Sequence, residues 1–226
     1  MRYFQPALFR FLRDLAANNN REWFEANRER YIETVQEPAL AFIADFAPRL
    51  EKISPYFRAD AKVQGGSLFR IYRDTRFSAD KTPYKTNTGV HFRHDRFKDA
   101  HAPGYYLHLQ PRECFMGVGL WRPDAKVAHQ IRETIATSPA IWRKVAHGKR
   151  FADVYQLEGD SLKRPPKGID PDHPLIEDLK RKDFIGSKRL TQSQVTSADF
   201  IDMVESDFRR ATPFMEFLCG AVGVEF

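Results

Sequence analysis

The stretch Tyr105-Tyr-Leu-His-Leu-Gln-Pro-Arg-Glu-Cys-Phe-Met-Gly-Val-Gly-Leu-Trp121 decides the fold class of this chain. Two runs rich in aromatic and aliphatic residues, Tyr105–Gln110 and Cys114–Trp121, are separated only by Pro111-Arg112-Glu113. That link is of hairpin length, so the runs read as antiparallel neighbours in a sheet. Working outward, Thr88–Arg93 reads as a further strand. Ser67-Leu-Phe-Arg-Ile-Tyr-Arg73, after the punctuation of Gly65-Gly66, reads as the first strand of the set.

Beyond the strands the pattern turns helical. Upstream, Leu8, Phe11, Leu12 and Leu15 repeat at i, i+3, i+4, i+7, one face of a helix. Asn20 is placed to cap a second helix bearing Trp23, Phe24, Tyr31 and Val35, and Pro38 to open a third with Ile43, Phe46, Ala47 and Leu50 aligned. Downstream, Pro123 is expected to start a helix with Val127, Ala128, Ile131 and Ile135 on one face. Gly148–Pro174 is polar and rich in Pro and Gly, a long surface excursion with a short strand near Val154–Leu157. A helix around Leu175–Lys182, a strand at Phe184–Leu190 and two closing helices follow, the first capped by Ser197 and the second started by Pro213. The expectation is one α+β domain over 1–226, helical over 1–52, strand-rich over about 63–121 and mixed over 122–226. Its centre is a mostly antiparallel sheet, with N- and C-terminal helices packed around it.

Hydrophobic residues make up 42% of the 226 and aromatics 13%, which excludes a disordered chain. The formal charge of +6 is concentrated: Arg58 to Asp99 holds ten Lys/Arg against five Asp. An anionic ligand would bind there. Arg10, Arg13 and Asp14 interrupt the apolar N-terminus, unlike a secretory signal, and no run approaches the roughly 20 apolar residues of a membrane span. Cys114 and Cys219 form no CxxC, and reduced thiols in a cytoplasmic protein are expected.

Within the basic region, Arg70-Ile-Tyr-Arg73-Asp74-Thr-Arg76-Phe77-Ser78-Ala-Asp80-Lys81-Thr-Pro83-Tyr84-Lys85-Thr86 is the most unusual stretch. Guanidinium forks bind phosphate or carboxylate bidentately, lysines add point charges and Ser78 a hydroxyl donor. Arg70, Arg73, Arg76, Ser78, Lys81 and Lys85 are therefore candidate ligand-binding residues, for a small phosphate or a nucleic-acid backbone. Equally, Asp74 and Asp80 are able to pair with these cations and pin the loop. As an enzyme acting on an anionic substrate, the protein would use Asp74, Asp80 or His173 as acid or base. A basic face that docks an acidic partner protein is the third alternative.

These segments carry a resemblance. Asn19-Asn20-Arg-Glu-Trp23-Phe24, the Arg70–Thr86 stretch, Gly119-Leu-Trp121-Arg-Pro123 and Asp172-His173-Pro174 resemble, in that order, the bacterial and fungal family catalogued as domain of unknown function 2461. The similarity runs roughly from Leu8 to Gly220. It implies a single-domain α+β protein with no established activity, and it brings no catalytic residues to carry over.

Other constellations are weaker. His91 and His94 with Asp80 or Asp95 have metal-ligand chemistry, but His-x-x-His at a strand end does not share a face and fixes no third ligand, so no metal or cofactor is expected. Cys114 opposite His108 reads as a buried, inert thiol. Lys163-Arg-Pro-Pro-Lys167 reads as solvated surface or as the rim of an anion site.

Overall fold

Helices of the first fifty residues come in more pieces than the periodicity implies. The computed structural model describes residues 1–96 and 101–226; Lys98 and Asp99 of the basic stretch lie outside them. Helix α1 (Pro6–Ala17) buries Leu8, Phe9, Phe11, Leu12 and Leu15. Asn20 caps α2 (Arg21–Ala26) as expected, its Oδ1 accepting the Trp23 N–H at 2.9 Å. The chain then breaks at Asn27, so Tyr31 belongs to a separate α3 (Arg28–Tyr31). A π-turn at Ile32–Gln36 leads without interruption into α4 (Glu37–Glu51), within whose first turn Pro38 stands.

Among the described residues, five strands form one sheet in the order β1-β2-β3-β5-β4, every neighbouring pair antiparallel. They are β1 (Thr88–Arg93), β2 (Gly104–Gln110), β3 (Glu113–Leu120), β4 (Gln156–Glu158) and β5 (Phe184–Leu190). The β2–β3 hairpin closes at the pair Gln110↔Glu113, with Arg112 left-handed (φ 70) in the two-residue loop. Between β3 and β5 come α5 (Ala125–Thr137), α6 (Pro139–Trp142), α7 (Lys149–Ala152), β4 and α8 (Ile176–Leu179). After β5 follow α9 (Gln192–Val195), α10 (Phe200–Arg210) and α11 (Thr212–Ala221). The chain is a single α+β domain.

Several expected boundaries shift. Ser67–Arg73 is not a strand of the sheet but an extended run beside β1, joined to it by an isolated bridge at Leu68↔Val90 and to its own return leg by one at Tyr72↔Tyr84. The Phe69 N–H donates to the Gly89 carbonyl (2.9 Å) and the His91 N–H to that of Ser67 (2.8 Å). Past Phe69 the backbone turns to its own return leg, the Arg73 N–H reaching the Pro83 carbonyl and the Lys85 N–H that of Ile71. Those groups are then unavailable to β1, so no ladder grows. Asp124, not Pro123, starts α5, its Oδ1 accepting the Val127 N–H at 2.8 Å. A capping box between Thr191 and Gln194 creates α9, and α10 begins after Asp199, so Ser197 caps neither. The helix expected over 175–182 is the single turn α8. The excursion over 148–174 opens with α7, and it anchors Phe151 and Tyr155 in the core.

Alternate residues of the sheet meet opposite fates. Val90, Phe92, Tyr105, Leu107, Leu109, Met116 and Leu120 are fully buried on one face. Phe46 of α4 lies 5.1 Å from Phe92, and Phe208 of α10 lies 4.5 Å from Tyr105, so helices from both ends of the chain cover that face. Lys188 of β5 pairs with Asp207 of α10 at 2.6 Å and fixes the α10 approach. The other face carries Gly89, His91, Tyr106, His108, Phe115 and Gly117, several of them only half-buried.

Candidate functional site: the open sheet face and its basic edge

The tip of the basic loop satisfies itself. Arg73 donates to the Asp80 carboxylate and to Thr82 Oγ1, while Asp80 Oδ1 also accepts the Thr82 N–H at 2.9 Å. Arg76 forks onto Asp74 at 2.9 and 2.7 Å. Lys81 Nζ donates to the Thr75 carbonyl at 2.9 Å, and Ser78 closes a turn on that same carbonyl through its N–H. Hydrogen bonds from Arg76 hold the Asp74 carboxyl down at about 2. The Arg73 guanidinium, then Thr82, holds that of Asp80 at about 2. Both carboxylates stay ionised at neutral pH, so they accept hydrogen bonds and have no proton to give. Phe77 stands at the tip, 96% exposed.

The base of the same loop is different. Lys85 Nζ donates to the Arg70 carbonyl at 2.9 Å and sits 5.4 Å from the centre of the Phe69 ring. Burial, then the neighbouring Arg70 charge, pushes Lys85 below the ordinary lysine value. Neither Arg70 nor Lys85 forms an ion pair with a carboxylate among the described residues. Two cations thus stand together at the edge of β1 with no direct ion pair, although the Asp74 carboxylate is close enough to feel the Arg70 charge.

His173 is elsewhere. Its Nδ1 accepts the Leu175 N–H at 3.1 Å in the turn before α8, which has no side-chain cap, and it makes no hydrogen bond to the basic loop. The basic loop flanks β1, and His173 follows β4; these strands are the two opposite edges of the sheet. Asp74, Asp80 and His173 therefore form no common acid–base set.

Next to the cation pair lies the uncovered sheet face. Tyr106 leans across β1 over Gly89: its Oη and Cε2 come within 2.8 and 3.3 Å of where a Cβ on Gly89 would stand. Phe69 Cδ2 crowds that same point at 3.1 Å, so only glycine leaves room for both rings. Phe69 and Tyr106 have ring centres 5.9 Å apart, Tyr106 and Phe115 5.8 Å, and Phe115 and His108 stack at 4.7 Å. The Tyr106 hydroxyl and His108 Nδ1 are 3.0 Å apart, and His108 Nε2 and Gln110 Oε1 3.2 Å. With the Gln110 oxygen as acceptor, Nε2 carries the proton and Nδ1 accepts from Tyr106. Burial lowers His108 below the usual histidine value and raises the Tyr106 phenol to about 12, which keeps both neutral. Beside them, a Cβ on Gly117 would stand in ordinary contact, 3.9 Å from the Gly186 carbonyl oxygen and from Tyr106 Cβ, and its register partner on β5 is Ser187.

At the far end of β3 the chain makes a strained exit. Arg122 is left-handed (φ 47), its N–H held at 2.8 Å by the buried Asp183 carboxylate, which also accepts the Asp160 N–H at 2.8 Å. The Arg122 guanidinium lies 4.8 Å over Trp121, and His101 stacks on Trp121 at 5.7 Å. Residues 7–217 match the family described as conserved hypothetical protein (DUF2461). The chain belongs to that family. No curated protein matches it. Two of the four stretches by which the sequence resembles the DUF2461 family, Arg70–Thr86 and Gly119–Pro123, border the open face, one along the β1 edge and one at the end of β3. The family description gives no activity, so the chemistry has to be argued from these residues.

Of the predicted ligand residues, the structure groups Arg70 with Lys85 and separates them from Arg73, Arg76 and Lys81, which are tied into the tip. Among the described residues no cluster of three His, Cys, Asp or Glu is placed to hold a metal. His94 is fully buried and hydrogen-bonded to the Glu225 carbonyl at 2.8 Å. Cys114 donates to the Gln110 carbonyl (3.2 Å), and burial raises its thiol. No helix among the described residues is long and apolar enough to cross a membrane. Sequence reasoning missed Phe69, Tyr106, His108 and Phe115 as a group. The available signal was aromatic residues alternating with core positions on strands that also carry Gly89 and Gly117, but their meeting depends on register.

Proposed function

We propose that the protein binds an anionic, phosphate-bearing ligand through Arg70 and Lys85. The observation that carries this reading is the cation pair itself: two adjacent positive groups, one partly desolvated, with no carboxylate in ion-pair contact. Such an arrangement gains from an anion that joins it, and charge-assisted hydrogen bonds from a guanidinium and an ammonium suit a phosphate. The Arg73–Asp80 and Arg76–Asp74 pairs and Lys81 shape the loop that presents this edge. Ser78, in the same loop, supplies a hydroxyl towards a larger ligand. Two buried cysteines without a disulfide support a reducing compartment, and with it a cytoplasmic location.

Thermal unfolding with inorganic phosphate and pyrophosphate tests the proposal. At a hundred times its dissociation constant a ligand stabilises by about 2.7 kcal/mol, roughly 5–10 °C for a domain of this size. Arg70→Ala and Lys85→Met are each expected to weaken binding by about tenfold or more, the worth of a charge-assisted hydrogen bond. Arg13→Ala, far along the chain, leaves it unchanged. A wild-type midpoint indifferent to both anions overturns the proposal.

A further inference from the structure

We infer that the ligand is a mononucleotide, its phosphate at Arg70 and Lys85 and its base laid on the aromatic face around Tyr106. The inference rests on the anion-binding reading and adds the rest of the molecule to it.

Side chains on a strand normally stand away from the sheet and offer their edges to solvent. Here the absence of a Cβ at Gly89 lets Tyr106 and Phe69 lie down across the backbone, their atoms occupying the space a side chain there would need. A ring laid on a sheet turns one π-face outward, and flat heteroaromatic rings stack on such faces. His108, held by Gln110, accepts the Tyr106 hydroxyl and so fixes that ring's direction. Gly117, the register partner of Tyr106, raises no side chain beside that ring and Phe115.

The cations complete the pattern. Lys85 Nζ is 5.4 Å from the Phe69 ring, which is 5.9 Å from Tyr106, so positive charge, ring and ring follow one another across the β1 edge. A ligand that satisfies all of them carries a negative group at one end and a flat ring at the other. Glu113 and Arg189 mark the far side of the row, being the register partners of Gln110 and Phe115. That border is of mixed sign, whereas proteins that track a single strand keep positive charge along the whole path. A single nucleotide fits the charge distribution better than a strand.

Titrations with inorganic phosphate, adenosine monophosphate, adenosine and a ten-nucleotide oligothymidylate, followed by calorimetry on the full chain, test the inference. Adenosine monophosphate is expected to bind at least about tenfold more tightly than phosphate, given what one base–aromatic stack contributes. Tyr106→Leu abolishes that advantage and leaves phosphate affinity unchanged, while Tyr106→Phe, which keeps the ring, retains it. Should Tyr106→Leu fail to fold, Gly117→Val, which raises a side chain beside Tyr106 without touching a cation, is expected to remove the same advantage. If adenosine monophosphate binds no better than phosphate, the inference falls and the anion site stands. If neither binds, both fall. If the oligonucleotide binds more tightly than adenosine monophosphate and salt erases the difference, the occupant is a strand and the mononucleotide is wrong.

Discussion

Gly89 and Val90 are neighbours in β1, yet they belong to two different surfaces. Val90 and its equivalents along β2 and β3 disappear under helices, with Phe92 fully buried against Phe46. Gly89 and its equivalents along β2 and β3 carry two aromatic rings, a neutral histidine and a second glycine, the rings and the histidine half-buried. The sheet is a single sheet, but its period of two divides the labour: one set of residues supplies the apolar burial that holds the domain together, the other is free to carry chemistry.

The sharpest way to break this comparison is to truncate one ring on each face. Phe92→Ala is expected to cost about 3–5 kcal/mol, lowering the melting midpoint by roughly 6–20 °C. Phe115→Ala on the open face is expected to cost roughly 1 kcal/mol or less. Equal losses in denaturant unfolding would show that the open face is a second core.

The basic loop offers a smaller contrast between tip and base. Arg73→Ala releases the tip from Asp80 and Thr82, so tryptic cleavage after Arg76 and Lys81 is expected to accelerate several-fold. The midpoint barely moves, because ion pairs at the surface contribute little. Arg70→Ala, at the base, is expected to leave cleavage unaltered while phosphate stabilisation disappears. If Arg73→Ala instead abolishes phosphate binding and leaves cleavage slow, tip and base have exchanged roles.

The smallest effect concerns pH. The Asp74 and Asp80 carboxyls fall from an ordinary 3.8 to about 2 in the folded loop. A depressed folded-state value means that their contribution is complete above pH 3.8 and is lost as pH falls towards about 2. Loop-tip amide mobility, followed by NMR, is therefore expected to rise between pH 4 and pH 2. Loosening at neutral pH would contradict the pairing.

How much was legible in advance varies by element. The β2–β3 hairpin and the Asn20 cap follow from local chemistry: a link too short for a crossover, and a side chain able to take the Trp23 N–H. Ser67–Arg73 has strand composition, but composition does not say whether a backbone pairs with the sheet or with its own return leg. Ser197 is a good cap by type, yet the capping box at Thr191 starts the local helix first. In the basic stretch the residue types were right for anion binding and for mutual pairing alike. Distances separate them: Arg73 and Arg76 reach carboxylates, and Arg70 and Lys85 do not.

The sequence by itself determined the α+β class, the antiparallel pairing around Tyr105–Trp121, the family and the location of the excess charge, because each rests on contacts or composition within a short span. Only the tertiary structure decided that Phe69, Lys85, Gly89, Tyr106, Phe115 and Gly117 share one surface. Those residues come from an extended run, a loop and three strands, and their meeting depends on strand register, which a shift of one residue would turn inside out.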